Sequence, residues 1–282
     1  MTTSGPIFGT GLVAALRRRF PVLAWPKAPR RMSVQTYIRR HYAAVPGFSS
    51  HISAEVAARL LQFQHESGIH GPVGEIGVML GRSFIGLALA AAPADLCLAI
   101  DDFAWPRGAR AKFLANCTQF GIDIAKVPII AAKSTSLTPA DIVATLDGGK
   151  LRYLHIDGGH TVDVLQHDLS MARDVMIPSG IICLDDMLHA QYPDLGLVVH
   201  AYLQANPDLT VFCIVDRGDL IAASKYLICA RDFAAGYQQI LKNSFPAYAF
   251  PDPAEFSTGP ALILSKDARL VPGLRKMIAR MG

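Results

Sequence analysis

The sequence predicts an α/β chain built around a doubly wound, mostly parallel sheet, and three observations carry that prediction. Short apolar runs alternate with stretches of helical period, several runs end on acidic residues, and Leu151–Asp186 reads as a complete strand, helix, strand unit. In that unit, LRYLHIDGGHTVDVLQHDLSMARDVMIPSGIICLDD, the residues Val162, Leu165, Leu169, Ala172 and Met176 recur at helical spacing. Thr161 stands before them as an N-cap and Pro178 after them as a stop. The first strand ends on Asp157, the second on Asp185 and Asp186. Strands joined by one crossover helix are parallel, and neighbours lie about 4.8 Å apart with their C-terminal ends on one edge, where ligands of open α/β sheets bind. Asp157 and Asp185 are therefore expected to face each other across a gap of about the size of a cation. Oxygen ligands without thiolates suit a hard ion such as Mg²⁺, with Ca²⁺ or Mn²⁺ as alternatives. The plainer reading is that these acids cap turns or helices beyond the strands.

With 282 residues and 51% of them hydrophobic, the chain can bury a large core in one domain plus extensions. The net charge of +4 is modest, and the arginine clusters Arg17–Arg19 and Arg30–Arg31 are too short and local to form a nucleic-acid stripe. Cysteines 97, 117, 183, 213 and 229 are scattered without a CxxC pair, which argues for buried, reduced thiols of a cytoplasmic protein and against a disulfide or zinc framework. The apolar run Ser83–Ala94 is too short to span a bilayer, and no secretory signal is evident. Gly11–Trp25 reads as a domain-packing or frayed helix, with surface association as the lesser alternative.

Residues 1–46 are expected to form an irregular arm with short helices, 47–243 the α/β domain and 244–282 a C-terminal extension. From Ser53, Val56, Leu60 and Phe63 form one helical stripe that Gly68 and Gly71 end. The first strand, PVGEIG, runs into a loop with Gly74, Gly77 and Gly81 and then a helix starting near Ser83. Its GxxGxxxG spacing is not the dinucleotide fingerprint, and Glu75 would be a poor neighbour for pyrophosphate but a good one for a cationic or hydroxyl-bearing ligand. The second strand ends on Asp101 and Asp102, at the separation from which a strand-end carboxylate reaches ribose hydroxyls. The third, KVPIIAA, ends at Lys133, Ser134 and Thr135, so these edges outline a nucleoside pocket. Beyond Asp186, GLVVHAYLQ reads as a helix, and LTVFCIV and LIAASKYLICA as a sixth and seventh strand joined by a short link.

The ordered motifs VGEIGVMLGRS, AIDDF, HIDGGH and IICLDD resemble class I S-adenosylmethionine-dependent methyltransferases, and within them the metal-dependent, macrocin-type small-molecule O-methyltransferases. The likeness covers about Gly47 to Tyr237. It implies a Rossmann-like, seven-stranded sheet in the order 3-2-1-4-5-7-6, mostly parallel with the last strand antiparallel. It further implies that Glu75, Gly77 and the backbone around Gly74 line the methionine part of the cofactor, beside Ser83, with Asp101 and Asp102 at the ribose and Ser134 at the adenine. Asp157, Asp185 and Asp186 would hold the metal, Asp157 also bordering the cofactor, and the catalytic residues would be His160, as the base, and Asp157. The family's PGG turn is here Pro178, Ser179, Gly180, and no counterpart of a further acidic ligand is identified.

Such chemistry needs nucleophile, methyl and sulfur held in line, and an acceptor oxygen freed of its proton. His160, with an ordinary pKa of about 6.5, suits the second task. The expected acceptor is a hydroxyl of a sugar, glycosylated natural product or catechol-like ring. Methylation of nitrogen or carbon without metal, a non-catalytic cofactor-binding module, and a disfavoured nucleotide-sugar transferase are the alternatives. His155 reads as a packed strand histidine, His189 as a candidate for the substrate mouth, and Phe103, Trp105, Tyr192 and Tyr226 as core or pocket aromatics. A homodimer is the default for the assembly.

Overall fold

The computed structural model describes residues 30–218 and 222–273. Readings that fall on Arg17–Arg19 and Gly11–Trp25 lie outside the described residues, as do 274–282 of the tail. So does 219–221 in the link between the sixth and seventh strands.

The apolar runs form β1 (Val73–Ile76), β2 (Cys97–Ile100), β3 (Ile129–Ile130), β4 (Leu151–Ile156), β5 (Met176–Met187), β6 (Leu209–Val215) and β7 (Ser224–Ala230). They lie in the order β3-β2-β1-β4-β5-β7-β6, with β7 antiparallel to both its neighbours. The expectation of seven strands needs correction, because the sheet has nine among the described residues. The tail contributes β8 (Ala254–Phe256) and β9 (Gly259–Leu264), and β9 pairs in parallel with β6. Every residue of β6 is buried, so its outer edge would leave unpaired N–H and C=O groups if nothing covered it. The run Ala261–Leu264 supplies that cover, a role that an isolated four-residue apolar run does not announce.

Two helical layers sandwich the sheet. On one face α1 (Val34–Arg40), α2 (His51–Glu66), α3 (Arg82–Ala90), α4 (Ala109–Gln119) and α8 (Arg231–Ser244) pack with Tyr153, Cys183 and Leu227. On the other, α5 (Pro139–Thr145), α6 (Val162–Val175) and α7 (Leu195–Ala205) pack with Leu154, Ile156, Ile182 and Leu184. Period-two alternation over Tyr153–Ile156 and Ile181–Leu184 thus sends odd-numbered residues to the first layer and even-numbered ones to the second, while Leu151 and Met187, beyond register shifts, join the second. α1, in the expected irregular arm, is capped by Ser33 and docked by Tyr37, whose hydroxyl donates to the Arg82 carbonyl at 2.8 Å. The crossover helix α6 begins after Thr161 as expected, while Pro178 falls inside the start of β5, where the β4 pairing shifts register. All five cysteines are buried and unpaired, and no helix of the described residues is long and apolar enough to cross a membrane.

Candidate active site

The C-terminal ends of β1, β2 and β4 meet at Gly77. Its φ is +87°, and a Cβ there would collide with the carbonyl oxygen of Asp157, so only glycine lets the two strand ends close up. Next to it Met79 (φ 46°) and Phe103 (φ 52°) hold backbone conformations that L-residues seldom adopt. Both are pinned by one side chain: Asp101 accepts from Met79 N–H at 2.7 Å and from Phe103 N–H at 2.6 Å. Asp102 accepts from Ala104 N–H at 2.9 Å. Gly77, Asp101, Asp102, Ser134 and Asp157 together line a cleft of about 380 Å³, with Trp105 exposed at its rim. Gly74, Glu75 and Ser83 do not line it. Gly74 packs against Leu151 and Leu154, and Ser83 donates to the buried Glu75.

Glu75 belongs to a polar row that crosses four strands on the first face. His155 lies opposite Glu75 in the β1–β4 register, and its Nδ1 is 3.1 Å from Glu75 Oε1. Its Nε2 is 3.1 Å from Lys225 Nζ, and Lys225 in turn makes an ion pair with Asp185 Oδ2. Glu75, His155 and Lys225 are all at most 4% exposed. Burial works against the lysine's charge, but the Asp185 carboxylate outweighs it and holds the pKa above the ordinary lysine range. Burial likewise raises Asp185, and the Lys225 ammonium overcomes it, holding that carboxyl well below the usual range. His155 Nε2 also lies 3.6 Å from Asp185 Oδ2, so the imidazole stands between Glu75 on one side and the Lys225–Asp185 pair on the other. Glu75 Oε2 is buried with no hydrogen-bond partner among the described residues. Asp157 stands beside this row, and burial, then the nearby Asp185 charge, raises its pKa well above the carboxylate range.

His160 sits at the open end of the same edge. Its Nδ1 is 2.8 Å from Asp186 Oδ2, and its ring stacks on Tyr192 at 4.5 Å, with His189 also stacked on that tyrosine at 4.9 Å. The hydrogen bond to Asp186, against partial burial, raises its pKa above the ordinary histidine value. Asp186 and Leu188 adopt φ of 59° and 57°, so the chain turns sharply just where the acid is presented.

The expected metal triad is only partly assembled. Asp185 spends Oδ2 on Lys225 and Oδ1 on the Asp186 N–H at 2.8 Å, and Asp186 is engaged by His160. Among the described residues, the acidic and imidazole groups whose ligand atoms lie within 4.8 Å of one another are Glu75, His155 and Asp157, and both His155 nitrogens are already in use. A hard dication asks for six or so oxygen ligands with carboxylates to spare. In this arrangement the residues present do not fit one.

Residues 75–187 match a protein family described as a methyltransferase domain. That stretch of the chain is similar to a methyltransferase domain. Its fold is shared with solved structures at low identity. An O-methyltransferase from Bacillus cereus in complex with SAH is 14% identical, with 74% of this chain and 94% of that chain covered and a TM-score of 0.52. Cofactor-bound Rv0187 from MTB is 16% identical over 78% and 96%, at 0.51. A putative O-methyltransferase from Klebsiella pneumoniae is 17% identical over 78% and 94%, at 0.50. No curated protein matches the sequence.

The matched span runs from Glu75 through β5, so it holds every acid of the site but stops before Lys225. Sequence reasoning missed that lysine. The available signal was a lone cation inside the apolar strand run LIAASKYLICA, in the strand expected to lie next to the one ending on Asp185. It also treated His155 as packing, whereas the register with Glu75 makes it the middle of the polar row.

Proposed function

We propose that the methyltransferase domain binds S-adenosylmethionine in the 380 Å³ cleft and transfers its methyl group to a hydroxyl of a small molecule, with His160 as the base. The observation that carries this reading is the placement of Asp101, Ser134 and Asp157 around one cleft, with the Asp186-held His160 at the same sheet edge. Asp101 and Asp102 suit ribose hydroxyls, and Ser134 suits the base. The two acceptors left over beside the cleft, Glu75 Oε2 and Asp157, suit a ligand that carries positive charge, as the methionine ammonium and sulfonium of this cofactor do. The neighbouring Bacillus cereus structure, solved with SAH, agrees with that choice of ligand.

In the proposed step the acceptor oxygen forms a bond to the methyl carbon as the carbon–sulfur bond breaks and its electron pair stays on sulfur. The acceptor proton passes to His160 Nε2. Asp186 holds the other ring nitrogen, so it orients the imidazole and stabilises the imidazolium that forms. A sugar, a glycosylated natural product or a catechol-like ring are the acceptor classes offered, and Tyr192, stacked on His160, would flank the acceptor. A second reading, in which a divalent ion held at Asp157, Asp185 and Asp186 orients a vicinal diol, draws on the convergence of Glu75, His155 and Asp157 but requires Asp185 to give up Lys225.

The test is a calorimetric titration with S-adenosylhomocysteine followed by an acceptor panel with and without EDTA. Stoichiometric binding and methyl transfer to oxygen are expected. Absence of binding would remove the cofactor reading altogether, binding without turnover of any acceptor would favour a non-catalytic module, and transfer to nitrogen or carbon would correct the acceptor atom.

A further inference from the structure

We propose that Lys225 is the resident cation of this acid cluster, holding the place beside Asp185 that a divalent ion would otherwise take, and that the site consequently works without a metal. The inference rests on the methyltransferase reading for its reaction, but its geometry stands on the chain alone. β7 lies between β5 and β6, and its antiparallel register sets Tyr226 opposite Leu184. Lys225, one residue away, therefore projects from the opposite side of the sheet from Tyr226, onto the face that carries Glu75, His155 and Asp185. It is 4% exposed. A lysine seldom lies so deep unless it is paired, and here the pairing is with the very carboxylate that a metal would need.

Each neighbour of the ammonium is accounted for. Asp185 balances its charge, and His155 Nε2 lies 3.1 Å from the ammonium nitrogen while its Nδ1 faces Glu75. A cavity of about 20 Å³ lies beside it, bordered by Tyr42, Ser49, Ser53 and Ser83, and Tyr42 Oη has no hydrogen-bond partner among the described residues. That volume suits about one water molecule next to the ammonium. It does not suit an octahedral ion with its own hydration. A dication placed at Asp185 would also stand against the ammonium in a setting of low dielectric, where like charges repel strongly.

The experiment is a Mn²⁺ titration of the full chain read by electron paramagnetic resonance, with methyl transfer measured in parallel with and without EDTA. The native chain is expected to bind Mn²⁺ no tighter than about 1 mM, the range of weak oxygen sites, and to be indifferent to EDTA. Lys225→Met, which keeps the bulk and deletes the charge, is expected to bind Mn²⁺ at least about tenfold more tightly, since Asp185 and Asp157 are then free to coordinate. Lys225→Arg is expected to behave as the native chain does. Tight, stoichiometric Mn²⁺ binding by the native chain, or loss of its activity in EDTA, overturns the proposal. If Lys225→Met fails to fold, the native titration still decides the matter. Failure of the methyltransferase reading shows separately, as absent S-adenosylhomocysteine binding, and leaves the Mn²⁺ result intact.

Discussion

Replacing His160 with glutamine is expected to lower kcat by about 10²–10⁴-fold while S-adenosylhomocysteine binds as before, because general-base assistance is lost and the cleft is untouched. His160 does not line the cofactor cleft, so a calorimetric titration beside the kinetic assay separates the two effects. The same residue sets the pH dependence. The hydrogen bond to Asp186 raises its pKa above the ordinary value, and a base works only when deprotonated. Native kcat/KM is therefore expected to fall as pH drops through an inflection above about 6.5. Asp186→Asn removes the negative partner, so the inflection should move to lower pH even as the orientation of the ring, and with it kcat, suffers. An inflection that does not move would mean another group titrates.

Gly77→Ala is expected to abolish cofactor binding and to destabilise the fold by more than about 4 kcal/mol, lowering Tm by roughly 10 °C or more in a thermal melt. Two penalties combine there. A side chain at φ +87° is strained, and its Cβ meets the Asp157 carbonyl, which belongs to a neighbouring strand end and cannot swing aside. Gly148→Ala isolates the first penalty. Gly148 has φ +84° with no atom within 4 Å of the place a methyl group would take, so its cost should be about 1–2 kcal/mol, and cofactor affinity should stay as it was. Comparable losses at the two positions would show that backbone strain, and not the close approach of β1 to β4, governs Gly77.

The parts of this molecule that follow from local period and local chemistry were legible in its sequence. The βαβ unit and the gathering of Asp101, Ser134 and Asp157 at one edge follow from short apolar runs and from the rule that parallel neighbours end together, while the order of the first seven strands came with the family likeness. What local pattern does not carry is pairing at long range. Whether Asp185 meets a dication or an ammonium depends on a strand forty residues away, and the register shift between Leu184 and Met187 helps decide which side chain arrives beside it. Glu75 shows the same limit from the other direction. Its position in the glycine loop marked it for the ligand, yet strand alternation turned it inward to Ser83 and His155, so that what it offers the cleft is charge more than contact. The two added strands escaped notice because the need for them arises from the exposed side of β6, not from their own composition.

Those two strands also bear on how copies of this chain can meet. With β8 and β9 in place the sheet terminates on three residues at one rim, Ala254–Phe256, and on two at the other, Ile129–Ile130. Neither rim is long enough to template an intermolecular ladder, and Glu255 in the middle of the first adds a charge that an incoming strand would have to accommodate. Among the described residues, self-association by fusing sheets end to end is thereby disfavoured, which leaves the helices and loops as the surfaces through which copies could meet.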